Sequence, residues 1–406
     1  MSGRDFAAPV LDQSADGEPV LAERCGNSLT DPTPVRVVFV LNSFDIGGTE
    51  LNAVRTAEAF DPARIALSVV AFHPDGPLRP RYDALGVPVD VVRLRNLYGV
   101  RALAQSWECA QRLRRRGVDV VHTHDVYCNI WGVPMGRLAG AKVLASRRWW
   151  KRTPRRGLLA LNRLAYQFAH RVLANSPSVA DMLRREERVS PHKIETITNF
   201  LEPAAFARRS ATALADARRG FGLPTDVWLV GIVARLAAVK DHATLLRAIA
   251  QVPAGVRLEA GLVGDGPERA TLERMATELG IRSRVHFLGE LPPRPTTHEM
   301  FDISVLCSLS EGSPNSVLEA MAVARAVLAT RVGGVADIIT HDVNGLLVEP
   351  GDAHALAAAL TRLATDEPLR ARLGAAAHET ATGYTATRVV GQLTDLYRRL
   401  TAAAVR

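Results

Sequence analysis

Residues 35–60 read VRVVFVLNSFDIGGTELNAVRTAEAF, and their texture changes twice. Val35-Arg36-Val37-Val38-Phe39-Val40-Leu41 is a nearly unbroken β-branched and aromatic run, the pattern of a strand covered on both faces. Ile46-Gly47-Gly48-Thr49 then turns the chain, and Glu50 to Phe60 takes up helical spacing. A buried strand feeding a helix through a glycine turn opens a parallel α/β unit. Further short apolar runs fall at 65–72, 87–94, 118–122, 142–146 and 171–174, with helical stretches between most of them, notably 100–116 and 158–170.

Beyond a run at 194–199 the chain becomes loop and Ala/Arg-rich helix, punctuated by Pro203 and Pro224. The alternation then restarts, with strand-like runs at 228–234, 257–263, 285–288, 303–309, 326–330 and 345–348. Helical stretches at 242–251, 268–279, 316–324 and 353–365 separate them, and a helical region closes the chain over 368–405. The expected architecture is α/β, with two doubly wound Rossmann-like domains in tandem. Residues 1–34 are expected to be a disordered tail, 35–200 the first domain, 201–226 a linker and 227–385 the second domain. Residues 386–406 form a C-terminal helix that is free to cross back to the first domain. Ligands of such sheets bind beyond the carboxyl ends of the strands, so the cleft between the domains is the natural site.

The 406 residues carry 50 Lys and Arg against 42 Asp and Glu, a surplus of +8 that suits an acidic partner such as a phosphorylated ligand, a nucleic acid or an anionic membrane. Cys25, Cys109, Cys128 and Cys307 show neither CxxC nor metal-type spacing, which fits free thiols in a reducing cytoplasm. No run approaches the ~18 apolar residues of a spanning helix, and the N-terminus lacks a signal-peptide pattern. A cytoplasmic protein is expected.

The most telling stretch after the first is Glu311-Gly312-Ser313-Pro314-Asn315-Ser316-Val317-Leu318-Glu319-Ala320. Gly312 and Pro314 place Glu311 in a loop and start a helix near Pro314 to Ser316, so free N–H groups and a positive dipole end sit between two carboxylates. That is an anion cradle flanked by acceptors for hydroxyl groups. Gly47-Gly48 offers a second backbone approach to an anion, or simply a strand-to-helix turn. Arg235 and Lys240, at the end of a strand and before a helix, suit a diphosphate, although two surface cations would look the same. Gly264-Asp265-Gly266-Pro267 reads as a structural turn into a helix. His122-Thr123-His124 ends a strand; His124 fits a hydrogen-bonding or acid–base group facing the cleft better than a zinc ligand, since no third ligand lies nearby. No Asp-x-Asp occurs to anchor a divalent metal. Arg147-Arg148-Trp149-Trp150-Lys151-Arg152 with Arg155-Arg156 is the densest basic stretch and fits an anionic lipid surface, a phosphorylated acceptor or single-stranded nucleic acid.

In this order, these stretches resemble the family 4 glycosyltransferases, which are retaining enzymes of GT-B fold that use nucleotide sugars. The likeness covers most of residues 35–400 and rests chiefly on the E-x7-E pattern of Glu311 and Glu319. Gly47-Gly48-Thr49-Glu50, His122-Thr123-His124, Ala234-Arg235-Leu236 with Lys240, Gly264-Asp265-Gly266-Pro267 and Phe287-Leu288-Gly289 support it. The resemblance implies that Arg235, Lys240, Gly47 and Gly48 hold the donor diphosphate and that Glu319 accepts hydrogen bonds from the ribose. It implies that Glu311 faces the transferred sugar, that Gly312, Ser313, Asn315 and Ser316 hold sugar hydroxyls or phosphate, and that His124 contacts the sugar or the acceptor. Departures are Ala234 and Asp241, where Gly is frequent in the family, and Thr198-Asn199-Phe200 in place of Pro-Asn-Gly. The expected function is transfer of a sugar from a UDP- or GDP-sugar to an acceptor hydroxyl, polysaccharide or lipid-linked, with no metal and no nucleic-acid partner. The competing readings are a transferase with a soluble natural-product acceptor, a non-catalytic sugar-nucleotide binder and a nucleic-acid-binding protein.

Overall fold

The computed structural model describes residues 33–94, 99–148, 156–291 and 295–402. Apart from Thr33 and Pro34, the expected tail lies outside them. Seven parallel strands form the first sheet: β1 (Val35–Leu41), β2 (Ile65–Ala71), β3 (Val89–Val91), β4 (Val120–Thr123), β5 (Lys142–Arg147), β6 (Arg171–Ala174) and β7 (Ile194–Thr196). Their order is β3-β2-β1-β4-β5-β6-β7. The intervening helices are α1 (Gly48–Glu58), α2 (Arg79–Ala84), α3 (Val100–Arg115), α4 (Val126–Leu138), α5 (Arg156–Phe168) and α6 (Pro177–Arg185).

Strand alternation splits the β1 side chains between two cores. Val38 and Val40 face α3, α4, α5 and α6 through residues such as Leu113, Trp131, Tyr166 and Leu183. Val37 and Phe39 face α1 and α2 through Val54 and Tyr82. Each such fully buried aliphatic or aromatic side chain is worth roughly 1.5–3 kcal/mol. Helix α4 went unrecognised in the sequence because it is apolar on nearly all sides and contains Pro134. It lies so close to the sheet that a Cβ at Gly132 would press on Thr123, and one at Gly136 on Val121 and Val143.

After α7 (Ala211–Gly220) comes a six-stranded parallel sheet of β8 (Trp228–Val233), β9 (Leu258–Val263), β10 (Val285–Gly289), β11 (Ile303–Leu306), β12 (Ala326–Thr330) and β13 (Leu346–Val348). Its order is β10-β9-β8-β11-β12-β13. Helices α8 (His242–Gln251), α9 (Arg269–Glu278), α10 (Asn315–Ala322), α11 (Ala353–Thr365) and α12 (Glu367–Thr382) cover it. The closing helical region expected over 368–405 consists of α12 and a second helix, divided at Gly383-Tyr384-Thr385. Its second part, α13 (Ala386–Ala402), buries Val389, Leu393 and Tyr397 in the Phe39 core of the first sheet. The chain therefore passes between the halves twice, and the two passages touch where the Leu201 amide donates to the Tyr384 carbonyl at 2.7 Å.

Candidate active site at two switch points

In each sheet the strand order reverses once, between β1 and β4 and between β8 and β11. Loops leaving such a pair diverge to opposite faces and open a crevice at the carboxyl edge. The stretches singled out in the sequence fall in these four loops: Gly47-Gly48 after β1, His124 after β4, Arg235 and Lys240 after β8, and Glu311 to Ser313 after β11.

At the first switch point Gly47 is the extended cap residue of α1, with φ −128° and ψ 163°. A Cβ there would collide with the Glu50 carboxylate, which folds back over the helix start, whereas one at Gly48 would meet nothing. Burial pushes the Glu50 carboxyl up from its ordinary range. The imidazoles of His122 and His124 stack with centroids 4.3 Å apart. Both nitrogens of His122 are engaged, by Tyr397 Oη and Ser146 Oγ at 2.7 Å each, which leaves no lone pair for a metal. His124 is buried with neither ring nitrogen bonded. Burial, with His122 and Arg148 adding to it, holds His124 well below the usual histidine range, so it is a neutral hydrogen-bonding group at neutral pH.

At the second switch point Lys240 and Glu311 meet: Lys240 Nζ donates to Glu311 Oε1 at 2.5 Å, and Ser308 Oγ donates to the same oxygen at 2.5 Å. Asp241 explains how Lys240 is aimed. It adopts a left-handed conformation (φ 48°), which favours Gly but is tolerated by Asp, and its carboxylate caps α8 by accepting from the Thr244 amide at 3.3 Å. Arg235 is exposed. Its loop is braced from below, because the Leu236 amide donates to the Asp265 carbonyl (2.9 Å) and the Glu268 amide to the Leu236 carbonyl (3.0 Å). Gly264-Asp265-Gly266-Pro267 thus supports the cation loop structurally, as its composition suggested.

Helix α10 starts at Asn315, with Pro314 as its cap residue and no side chain capping its first amides. Asn199 Nδ2 reaches across from the end of the first domain to Asn315 Oδ1 (2.7 Å) and the Ser313 carbonyl (3.3 Å). Ser316 is half-buried. Gly312 is packed so tightly that a Cβ would strike the Arg148 carbonyl, and its own carbonyl lies against Gly334. Farther along this interface Asp337 accepts from the Ser178 amide (2.8 Å) and hydroxyl (2.9 Å).

Glu319 does not stand open. Arg55 Nη1 of α1 donates to its Oε1 at 3.2 Å, and Arg55 Nε lies 3.1 Å from Glu202 Oε1. Burial pushes the Glu319 carboxyl up, against the pull of Arg55. Behind it His298 is buried, its Nδ1 bonded to Ser304 Oγ at 3.1 Å and its Nε2 3.8 Å from Glu319 Oε2. Burial lowers His298 to about 4. An imidazole that resists protonation when folded but accepts it near pH 6.5 when unfolded adds stability above pH 6.5 that is lost as pH falls toward 4. Thermal melts at pH 7 and pH 5 should therefore show a smaller acid-induced fall in Tm for His298→Gln than for the unsubstituted chain; equal falls would contradict this account of the buried imidazole.

Sequence reading missed Arg55, Arg148, Asn199 and His298 as contributors to this interface. A signal existed for the first: Asn52, Arg55 and Thr56 share a face of α1 at i, i+3 and i+4, and all three are buried where aliphatic residues would be expected. Of the basic stretch expected to meet an anionic lipid, a phosphorylated acceptor or single-stranded nucleic acid, only the Arg147 and Arg148 side chains are described. Trp149 to Arg155 lie outside the described residues, as does the Arg156 side chain. The first two arginines turn inward: Arg147 pairs with buried Glu187 at 3.0 Å, and Arg148 Nη1 donates to Asn52 Oδ1 at 2.5 Å. Burial brings Arg148 down to about 10.

The model of "Glycosyltransferase Family 4" matches residues 46–205, and that of "Glycosyl transferases group 1" matches residues 215–380. Among similar proteins, a D-inositol 3-phosphate glycosyltransferase of Corynebacterium urealyticum is 32% identical over 56% of this chain and 56% of its own length. A lipopolysaccharide core biosynthesis glycosyltransferase, LpsE of Rhizobium meliloti, is 32% identical over 57% of this chain and 64% of its own. The chain thus spans little more than half the length of such relatives. Among solved structures, HepE of Anabaena in complex with UDP superposes with a TM-score of 0.81 at 22% identity, over 90% of this chain and all of that one. WaaG, a glycosyltransferase involved in lipopolysaccharide biosynthesis, gives 0.68 at 17% identity, over 89% of this chain and 99% of that one. With both halves matched, in order and on either side of the crevice, the chain belongs to glycosyltransferase family 4 and has the GT-B fold.

Proposed function

We propose that this protein is a retaining glycosyltransferase that moves a sugar from a nucleoside-diphosphate sugar to an acceptor hydroxyl in cell-envelope polysaccharide or glycolipid synthesis. The observation that carries the reading is the Lys240–Glu311 pair beside exposed Arg235 and the uncapped start of α10. A lone Glu311 carboxylate would repel a diphosphate. Paired with Lys240 it is neutralised, and with the Asp241 carboxylate turned to the start of α8, exposed Arg235 is the cation left to meet the phosphates. In this reading the diphosphate charge is offset by Arg235, Lys240 and backbone amides near Gly47 and α10 rather than by a metal ion. Ser313, Asn315 and Ser316 serve the sugar hydroxyls or phosphate, and Glu319 exchanges Arg55 for the ribose. Neutral His124, buried with two unsatisfied nitrogens, gains its partner from a hydroxyl of the sugar or the acceptor.

The acceptor oxygen attacks the anomeric carbon on the face from which the diphosphate departs. The carbon–oxygen bond to phosphate breaks, the acceptor proton passes to the leaving phosphate oxygen, and configuration is retained. No protein base is required, so rate rests on positioning and on charge placed before reaction. One relative supports the acceptor class by name, LpsE of lipopolysaccharide core biosynthesis, whereas the name of the D-inositol 3-phosphate enzyme points to a small soluble acceptor. HepE supports the donor class, having been solved with UDP and with UDP-glucose.

A thermal-shift panel of UDP-, GDP- and ADP-sugars tests this directly. One donor class is expected to raise Tm, and Glu319→Gln, compared with its own ligand-free melt, should lose that rise. Hydrolysis and transfer assays with the same donors complete the test. No shift and no turnover with any donor would overturn the reading.

A further inference from the structure

The geometry points to the outer face of α3, α4 and α5 as a docking surface for an anionic lipid bilayer. These three helices lie side by side, with α4 packed between α3 and α5, on the same face of the first sheet. Their inner sides fill the Val38 core, so their outer sides should be polar. They are not. On α3, Val100, Leu103 and Trp107 are 85%, 68% and 56% exposed at i, i+3 and i+7, a single stripe of the helix. On α5, Leu161, Leu164 and Phe168 repeat the same spacing at 42%, 54% and 58% exposed. Between them α4 presents Tyr127 and Leu138, both exposed.

Single exposed apolar residues are ordinary on a protein surface, but stripes repeated at the same spacing on two helices of one face, with Tyr127 and Leu138 on the helix between them, mark an interaction site. Charge selects the occupant. The described side chains of α3, α4 and α5 include six arginines (Arg101, Arg112, Arg114, Arg115, Arg137 and Arg163) and one carboxylate, Glu108. A second copy of the chain meeting this face in a symmetric pair would set like charge against like. An anionic membrane is complementary to both features, since apolar side chains enter the headgroup boundary while arginines meet lipid phosphates. None of the helices of the described residues is long and apolar enough to cross a membrane, so the contact would be peripheral. The inference is independent of the donor reading, and it differs from the expected role of the 147–156 run in using a helical face, with Arg147 and Arg148 buried inside.

Flotation of the full chain on a sucrose gradient tests it, using phosphatidylcholine vesicles with and without phosphatidylglycerol. The chain is expected to float with the anionic vesicles and to stay behind with the neutral ones. Trp107→Glu/Leu164→Glu should weaken flotation by about tenfold or more, and Arg114→Glu/Arg115→Glu should weaken it and flatten its salt dependence. Both pairs are exposed, so Tm and donor-induced shifts should stay unchanged; if the first pair fails to fold, Trp107→Ser/Leu164→Ser reads the same contact. The inference falls if the unsubstituted chain ignores anionic vesicles, or if the substituted chains float equally well. It also falls if light scattering shows a dimer that Trp107→Glu/Leu164→Glu converts to monomer.

Discussion

Arg235→Ala is expected to lower kcat/KM for the donor by about 100- to 1,000-fold, the range found when one charge-stabilising donor is removed from an active site. Its Tm should barely move, because Arg235 is exposed with no side-chain partner among the described residues, and such substitutions usually stay within about 0.5 kcal/mol. Lys240→Ala should cost more. It removes one cation and also uncovers the Glu311 carboxylate, which Lys240 neutralises at 2.5 Å. The added loss should appear mainly in donor binding, so Lys240→Ala/Glu311→Gln should recover part of the KM while kcat stays low. Steady-state kinetics on the three variants, with Tm for each, decide the matter. Activity and stability falling together in Arg235→Ala would mean that the cation holds the fold rather than the transition state.

Gly312→Ala is the second large effect expected. Nothing is wrong with alanine's backbone preferences there; the obstacle is the Arg148 carbonyl, which the new methyl would strike, with Gly334 pressed on the other side. A side-chain tip could swing away, but a backbone carbonyl on β5's exit cannot move without parting the two domains. Overpacking of this kind costs typically 1–3 kcal/mol. We expect kcat/KM to fall at least about tenfold, since displacement of catalytic groups by as little as 1 Å carries such losses. The Tm should fall modestly, because both sheets keep their own cores. Limited proteolysis should show faster cleavage in the 201–226 segment. Normal kinetics in a stable Gly312→Ala would show that the Gly312–Arg148 contact is dispensable.

Much of this was legible locally. Continuous apolar runs such as Val35–Leu41 and Ala326–Thr330 could only be strands covered on both faces, and both appear with those bounds. Glycine and proline chemistry placed the start of α10 correctly, since Pro314 cannot sit inside a helix and Gly312 cannot begin one well. The α4 helix was hidden because its apolar residues are spread around most of its circumference and Pro134 interrupts the pattern, whereas α13 was expected from residue 386 and only the sheet it covers was left to the tertiary structure.

By itself the sequence determined the repeating strand–helix units, the loops that end at the crevice, and which residue types wait in them. Those are consequences of short-range sterics and of the 2.0 and 3.6 periodicities, which act within a few residues. Only the tertiary structure decided partners far apart in the chain. Arg55 meets Glu319 across 264 residues, Asn199 meets Asn315, and Arg148 turns inward instead of out. Burial then set the charge state of His124 and His298, because desolvation depends on what the whole chain packs around a group, not on its neighbours in sequence.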